Sequence, residues 1–151
     1  MSKKIWGNAV WYLFHTLVYK IKSTDTSDFK VLFGHISSIS KNLPCPECSE
    51  DSNSFLSRVN VNSITSSREN MITFLFEFHN HVNKKIGKPT YLLEDLKKYS
   101  LANTINIINH FNAVMNSNSN NSRLMMDSFN RQNAVKVFMD YIAQNIHKYK
   151  L

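Results

Sequence analysis

The 151-residue sequence has little of several residue types that define particular fold classes. It contains only two cysteines, three glycines and three prolines. The scarcity of glycine and proline argues against a turn-rich β fold. Two cysteines are also too few for the disulfide framework that stabilises many small secreted domains.

Long apolar runs are missing as well. The longest clear one, from Ala9 to Phe14, is far shorter than the roughly 20 apolar residues that cross a bilayer. Residues 1–7 include two lysines, but no apolar stretch of signal-peptide length follows them. We therefore expect a cytoplasmic protein that has neither a signal peptide nor a transmembrane segment.

The charge is unbalanced, with 18 basic against 11 acidic residues and a formal net charge of +7. Such an excess is common in nucleic-acid-binding proteins, because lysine and arginine neutralise phosphates. Here the basic residues are scattered from Lys3 to Lys150, and no more than two are adjacent. This distribution favours a solvated surface over a nucleic-acid-binding face.

Most of the chain carries apolar residues at spacings of three and four, which predicts helices. The predicted helices cover about residues 6–19, 29–43, 45–58, 68–86 and 92–111. Thr26, Ser27 or Asp28 is expected to cap the second helix, and Ser67 the fourth. Residues 112–123 are rich in asparagine and serine and read as a disordered linker before an amphipathic helix at 124–151. The sequence predicts an all-α protein with a bundle at 1–111.

The strongest chemical signal is the pair Cys45 and Cys48, which are separated by two residues at the predicted start of a helix. The helix dipole and free N–H groups stabilise a thiolate there, and this spacing lets two sulfurs close a disulfide within one turn. The alternatives are half of a zinc site or two buried small residues. None of the six histidines forms an i,i+4 pair, so we expect no metal site.

A redox role for this pair needs a partner, because a dithiol alone passes electrons to O2 slowly. Gly7, Trp11 and His15 step by four along one stripe of the first helix. They form either a flat slot for a planar ring or ordinary core. His79 and Asn83 lie one turn apart with Asn80 beside them, followed by several lysines. This second group indicates either a ligand with a diphosphate or a solvated basic helix end.

Together these features resemble the Erv/ALR family of FAD-linked sulfhydryl oxidases. The resemblance covers about residues 5–100 and is carried by three motifs: Gly7-x-x-x-Trp11-x-x-x-His15-Thr16-Leu17, then Ser40-Lys41-x-x-Pro44-Cys45-x-Glu47-Cys48-x-Glu50-Asp51, then His79-Asn80-x-Val82-Asn83-x-Lys85-Ile86-Gly87-Lys88-Pro89. A CxxC motif alone is weak evidence. Its combination with the two flanking motifs, in this order and at these separations, is specific.

The resemblance implies a four-helix bundle with a short fifth helix, usually a homodimer, that holds FAD beside the cysteines. It also implies that Cys45 receives electrons from substrate thiols, that Cys48 passes them to the flavin, and that O2 becomes hydrogen peroxide. The positions that match FAD contacts in the family are Gly7, Trp11, His15, His79, Asn80, Val82, Asn83 and Lys85. Tyr91 and Tyr99 fall where further aromatic contacts occur, in a looser register.

The chain departs from many family members because it has no second, shuttle cysteine pair and no structural disulfide. Electrons must therefore come directly from a substrate protein or from a separate redox carrier. A stand-alone enzyme of this kind resembles those of large DNA viruses, which would place it in the host cytoplasm or the virion. The main alternative is a non-enzymatic helical adaptor that binds zinc or nucleic acid.

Overall fold

The structure, a computed structural model, describes residues 2–116 and 122–151, with side chains from residue 126 onward in the second range. Its elements are α1 (Lys3–Lys20), α2 (Thr26–Ser40), α3 (Pro46–Leu56), α4 (Val61–Ile64), α5 (Arg68–Lys85), α6 (Lys97–Ser100), α7 (Thr104–Met115) and α8 (Ser122–Asn145), with 3-10 helices at Leu93–Leu96 and Ile146–Lys148. These ranges contain no β-strand, only an isolated antiparallel bridge between Ile21 and Tyr149. The predicted all-α class is confirmed.

The helix starts follow the side chains that can cap them. Ser67 accepts the N–H of Asn70 at 3.0 Å at the start of α5, as predicted. The predicted cap of α2 was wrong, because Asp25 rather than one of the next three residues accepts the N–H of Ser27, at 2.9 Å. A carboxylate oxygen satisfies a free N–H of the first turn and also favours the positive helix end. Gly87, with φ of 77°, ends α5 in the left-handed conformation.

Several predicted boundaries differ from the structure. The terminal helix predicted at 124–151 ends at Asn145, followed by a 3-10 turn at Ile146–Lys148 and an extended end. The single helix expected at 92–111 is divided at residues 101–103, because Asn103 accepts the N–H of Asn106 and starts α7. The predicted loop at 60–67 contains the short helix α4, capped by Asn60. Helix α7 continues to Met115, so the first residues of the predicted linker at 112–123 are helical, whereas residues 117–121 lie outside the described part of the chain.

Helix α1 lies at the centre of the fold and packs against α5, α6 and α7, while α8 packs on α2 and α7. The predicted terminal helix supplies Val135, Phe138 and Ile142 to the same buried cluster that contains Leu13 and Leu17 of α1. None of the helices in the two described ranges combines the length and the hydropathy that a membrane span requires. The fold is thus built around α1, whose N-terminal half lines the cavity described next.

Candidate active site

A cavity of about 880 Å³ opens between α1, α3, α5 and the segment that follows α5. This volume is at the upper end of the range for small-molecule and cofactor pockets, about 300–1,000 Å³. Its lining includes aromatic rings, one cysteine and several lysines; the residues used below are Lys3, Gly7, Trp11, Tyr12, Ser40, Cys48, Asp51, His79, Val82, Asn83, Lys85, Lys88, Tyr91, Lys98 and Tyr99. Glu47, Glu50 and Asp51 also line it, on the side of α3. The cavity therefore combines apolar walls with lysines at several points and carboxylates along α3.

The two cysteines lie at the start of α3 and form a disulfide. Cys45 is the N-cap residue, and its Sγ accepts the N–H of Cys48 at 3.2 Å. Pro46 occupies the first helical turn, where its missing N–H costs nothing. Cys48 lines the cavity, whereas Cys45 does not. The disulfide thus spans from the cavity wall to a half-buried position away from it.

Stacked rings form one wall of the cavity. The rings of Trp11 and His79 lie 4.1 Å apart and are inclined by 7°, and Tyr91 stacks on the other side of His79 at 4.5 Å. Gly7 lies one turn before Trp11 on α1, and a Cβ placed on it would meet no protein atom within 4 Å. The space beside Gly7 is therefore open to a ligand.

His15 and His79 form a buried pair. Nε2 of His15 and Nδ1 of His79 are 2.9 Å apart, so one ring donates and the other accepts. Burial, together with the positive charges of neighbouring groups, lowers the pKa of His15 to about 3 and that of His79 to about 4. Both rings are therefore neutral at pH 7. Nδ1 of His15 has no hydrogen-bond partner among the described residues.

These two pKa values predict that acid destabilises the protein. An unfolded histidine binds a proton below about pH 6.5, while the folded rings stay neutral down to about pH 4 or 3. The full stability is thus present above pH 6.5 and is lost as the pH falls below it, by about 1.4 kcal/mol for each histidine at pH 5.5. Urea unfolding of the protein at pH 7.5 and 5.5 measures the difference.

His79→Gln is expected to remove the share of His79 from this pH dependence, while His15 and His35, whose pKa burial also lowers, retain theirs. His110→Gln serves as its control, because His110 is exposed on α7 and belongs to no buried pair. The carboxyl groups with lowered pKa values, Asp28 and Asp51, lose their contribution only below about pH 4, outside this window. A stability that is equal at the two pH values would contradict the assignment of neutral rings.

Asn80 and Asn83 hold the chain segment that follows α5. Oδ1 of Asn80 accepts the N–H of Tyr91 at 2.6 Å, and its Nδ2 donates to the carbonyl of the same residue at 3.1 Å. Nδ2 of Asn83 donates to the carbonyl of Pro89 at 3.3 Å. The two amides thus fix the loop that places the Tyr91 ring against His79.

Lys85 reaches across to α3. Its Nζ lies 2.7 Å from Oδ1 of Asp51, and Nε2 of His81 lies 3.2 Å from Oδ2 of the same carboxylate. Asp51 follows Cys48 by three residues on α3. This ion pair connects the helix that carries the cysteines with the helix that carries His79.

The structure brings most of the predicted cofactor contacts together. Six of them line the cavity: Gly7, Trp11, His79, Val82, Asn83 and Lys85. His15 and Asn80 do not line the cavity. They form hydrogen bonds with His79 and with the backbone of Tyr91, two residues that do line it. Tyr91 and Tyr99, which sequence reasoning placed only loosely, both line it and are joined through their hydroxyls at 2.7 Å.

Lys98 and Tyr12 were missed by the sequence reasoning. Nζ of Lys98 lies over the rings of Tyr12, Tyr91 and Tyr99, at 5.2, 5.5 and 5.3 Å from their centres. This group could not be predicted from the sequence, because Lys98 comes close to Tyr12 only when the segment between α5 and α6 has folded. Side-chain groups of three or more His, Cys, Asp or Glu suited to a metal ion do not occur in residues 2–116 and 122–151.

Comparison with known proteins adds a family. The sequence model of the Erv1 / Alr family matches residues 8–104. A putative FAD-linked sulfhydryl oxidase 096R of Invertebrate iridescent virus 3 is 34% identical over 90 residues, which are 59% of this chain and 61% of that protein. The mitochondrial FAD-linked sulfhydryl oxidase erv1 of Schizosaccharomyces pombe (strain 972 / ATCC 24843) is 26% identical over 86 residues, which are 56% of this chain and 47% of that protein.

The aligned region therefore spans less than two thirds of either relative. No solved structure matches the chain.

Proposed function

Because this chain belongs to the Erv1/Alr family, we propose that it is a FAD-dependent sulfhydryl oxidase that forms disulfides in protein thiols and reduces O2 to hydrogen peroxide. The observation that carries the proposal is the Cys45–Cys48 disulfide beside the cavity. Cys48 lines this cavity of about 880 Å³, which has a wall of stacked aromatic rings. Both relatives reported above are named as FAD-linked sulfhydryl oxidases, which supports the same activity.

The residues of the cavity fit FAD in chemical type. Trp11 and Tyr91 offer flat rings for stacking, with the His79 ring held between them, and Gly7 leaves open space beside Trp11. Ser40 is also among the lining residues, and its buried hydroxyl has no hydrogen-bond partner in the described part of the chain.

The charge of the cavity also fits an anionic ligand. Lys3, Lys88 and Lys98 line it and form no ion pair among the described residues, which leaves their charges for a diphosphate. We propose that the FAD-binding set is the predicted one, with the cavity residues Gly7, Trp11, His79, Val82, Asn83 and Lys85 in direct contact and with His15 and Asn80 orienting His79 and Tyr91.

In the proposed reaction, a substrate thiolate attacks the sulfur of Cys45 and displaces Cys48 as a thiolate. A second substrate thiol then attacks the mixed disulfide and releases the oxidised substrate. Two substrate thiols thereby lose two electrons and two protons, and the Cys45–Cys48 pair is reduced to a dithiol. FAD, when bound, supplies a two-electron acceptor that O2 can reoxidise. The start of α3 assists by stabilising a thiolate at Cys45, whose Sγ accepts the N–H of Cys48.

Further parts of the proposal concern the whole protein. It acts in the cytoplasm and as a homodimer. Its electrons come from a substrate protein or a separate redox carrier, because both cysteines of the chain are in the reactive pair. The family match at residues 8–104 supports a catalytic unit that starts near residue 1 and ends with α7 at Met115, followed by the terminal helix α8. The viral relative supports a viral stand-alone enzyme.

The test is an absorption spectrum of the purified protein before and after anaerobic dithiothreitol. We expect a yellow protein whose flavin bands bleach with the dithiol and return in air with release of hydrogen peroxide. A protein in which both cysteines are changed to serine is the control, and it should be yellow but should not bleach at the same rate. A colourless protein that cannot be reconstituted with FAD would contradict the proposal and favour the helical adaptor.

A further inference from the structure

Asp51 connects the two helices on which the proposed site depends. Its carboxylate receives hydrogen bonds from Lys85 at 2.7 Å and from His81 at 3.2 Å, both on α5. In the described part of the chain, Asp51 is the residue of α3 that hydrogen-bonds to α5. The Asp51 side chain is 16% exposed, whereas Lys85 is 59% exposed, so solvent reaches the pair from the lysine side and its contribution is that of a partly screened ion pair.

The position of Asp51 on α3 gives these contacts a specific effect. Phe55 anchors the C-terminal half of α3 by stacking on Phe78 at 5.0 Å and packing near His81 at 4.5 Å. The half that carries the cysteines has no comparable ring contact with α5 in the described residues. The cysteines pack against the core cluster, and Asp51, one turn after Cys48, adds the hydrogen bonds to α5 among the described residues of α3.

The carboxylate is in the charged form that such contacts need. Burial by itself raises the pKa of Asp51, but the hydrogen bonds from Lys85 and His81 outweigh burial and leave this pKa below its ordinary value. The pair with Lys85 is therefore intact at neutral pH.

We propose that Asp51 is a positioning residue that locks the cysteine-bearing end of α3 onto α5, so that Cys48 stays against the cavity wall. The effect on catalysis rests on the proposed function, since the wall matters for electron transfer only if the cavity holds FAD. Rates of reaction between held groups fall steeply when one of them is displaced by about 1 Å. The effect on the position of Cys48 does not depend on the cofactor.

The first experiment uses the protein freed of FAD and reduced, and measures the alkylation rates of Cys45 and Cys48 by iodoacetamide with mass spectrometry. Asp51→Asn keeps the shape of the side chain and removes its charge. We expect Cys48 to react about tenfold faster in this variant, because α3 separates from α5 more often, and Cys45 to react at an unchanged rate.

Two variants control this experiment. Glu50→Gln removes the same charge from the neighbouring residue, which is exposed and has no partner among the described residues. Asp28→Asn breaks an ion pair of similar burial, Asp28 with Lys148 at 2.8 Å, at the other end of the fold. Both should leave the alkylation of Cys48 unchanged, although Asp28→Asn lowers stability. Lys85→Met, which removes one of the two bonds to Asp51, should give a smaller increase than Asp51→Asn.

The second experiment uses the protein loaded with FAD. Asp51→Asn should slow anaerobic reduction of the flavin by dithiothreitol about 10- to 100-fold. FAD affinity should stay within about threefold of wild type or improve, because the substitution removes a negative charge from the cavity and frees Lys85. A role confined to fold stability would instead lower FAD retention and thermal stability together.

The outcomes separate the two proposals. Unchanged alkylation of Cys48 in Asp51→Asn, in a protein whose flavin bleaches normally, would overturn the positioning role and leave the oxidase intact. A wild-type protein that binds no FAD would defeat the oxidase, while the alkylation result would still decide whether Asp51 fixes α3. Equal effects of Asp51→Asn and Glu50→Gln would also overturn the role, because only charge would then matter.

Discussion

Cys48→Ser is expected to abolish the reduction of bound flavin by dithiols, with a loss of at least about 10³-fold, while FAD stays bound. Serine cannot form the disulfide that accepts electrons from substrate, so the only route from thiol to cavity is removed. The proposed FAD contacts lie on α1, α5 and the segment after α5, apart from this residue. The yellow colour should therefore survive the substitution.

The two cysteines should fail in different ways because they occupy different places. In Cys48→Ser, Cys45 keeps a thiol away from the cavity lining and can still exchange with a substrate disulfide. The resulting mixed disulfide should accumulate, since no neighbouring thiol resolves it. In Cys45→Ser, the remaining thiol lies at the cavity wall and should form far less of this adduct with a protein-sized substrate.

Anaerobic stopped-flow absorbance at the flavin band measures the first loss, and mass spectrometry after incubation with an oxidised thiol peptide measures the second. Wild type and the double serine variant bracket the range for both. A Cys48→Ser protein that bleaches at the wild-type rate would remove this residue from the proposed role. Equal adduct formation by the two single variants would remove the distinction between an outer and an inner cysteine.

Much of the fold could be predicted because helices are specified locally. The spacing of apolar residues indicated α1, α2, α3 and α5. Ser67 marked a helix start through its bond to the N–H of Asn70, and Pro46 marked another because proline is tolerated in the first helical turn. Breaks in a helical pattern were harder to predict. Asn103 competes for the N–H of Asn106 and starts a new helix, while the apolar spacing on both sides continues unchanged.

The candidate site was predictable in its membership but less so in its contacts. The motifs identified the residues that gather around the cavity, yet they gave no sign that Asn80 uses both ends of its amide on the backbone of Tyr91. The pairing of Lys85 with Asp51 was equally hidden, because the two residues lie 34 positions apart in the sequence. Such contacts depend on how the helices pack, which apolar spacing does not determine.

The last residues of the chain were predicted to form a helix of unknown purpose, and their contacts point to a role in stability. Tyr149 is 1% exposed, and its hydroxyl lies 2.6 Å from that of Tyr141 on α8. On either side of it, the backbone bonds to the end of α1, with Lys22 N–H donating to Lys148 and Lys150 N–H donating to Lys20, both at 2.7 Å. The ring thus fills the space where α1 ends.

Tyr149→Ala is therefore expected to lower the free energy of unfolding by about 3–5 kcal/mol, the usual cost of removing a buried aromatic side chain. Tyr149→Phe is the matched control, and its loss should be near 1 kcal/mol because it removes only one hydroxyl hydrogen bond. Urea unfolding followed by circular dichroism measures both, and an unchanged denaturant slope would show that the same transition is observed.

The comparison also decides how the terminal helix relates to the bundle. The chain has no disulfide apart from Cys45–Cys48, so packing around α1 must supply the stability that a covalent brace would otherwise add. If residues 124–151 were an appendage, Tyr149→Ala would cost less than about 1 kcal/mol, as surface substitutions generally do, and would leave the unfolding of the bundle unchanged. A loss of several kcal/mol in one cooperative transition, with flavin lost in the same transition, would show that the bundle and its C-terminal helix fold as a single unit.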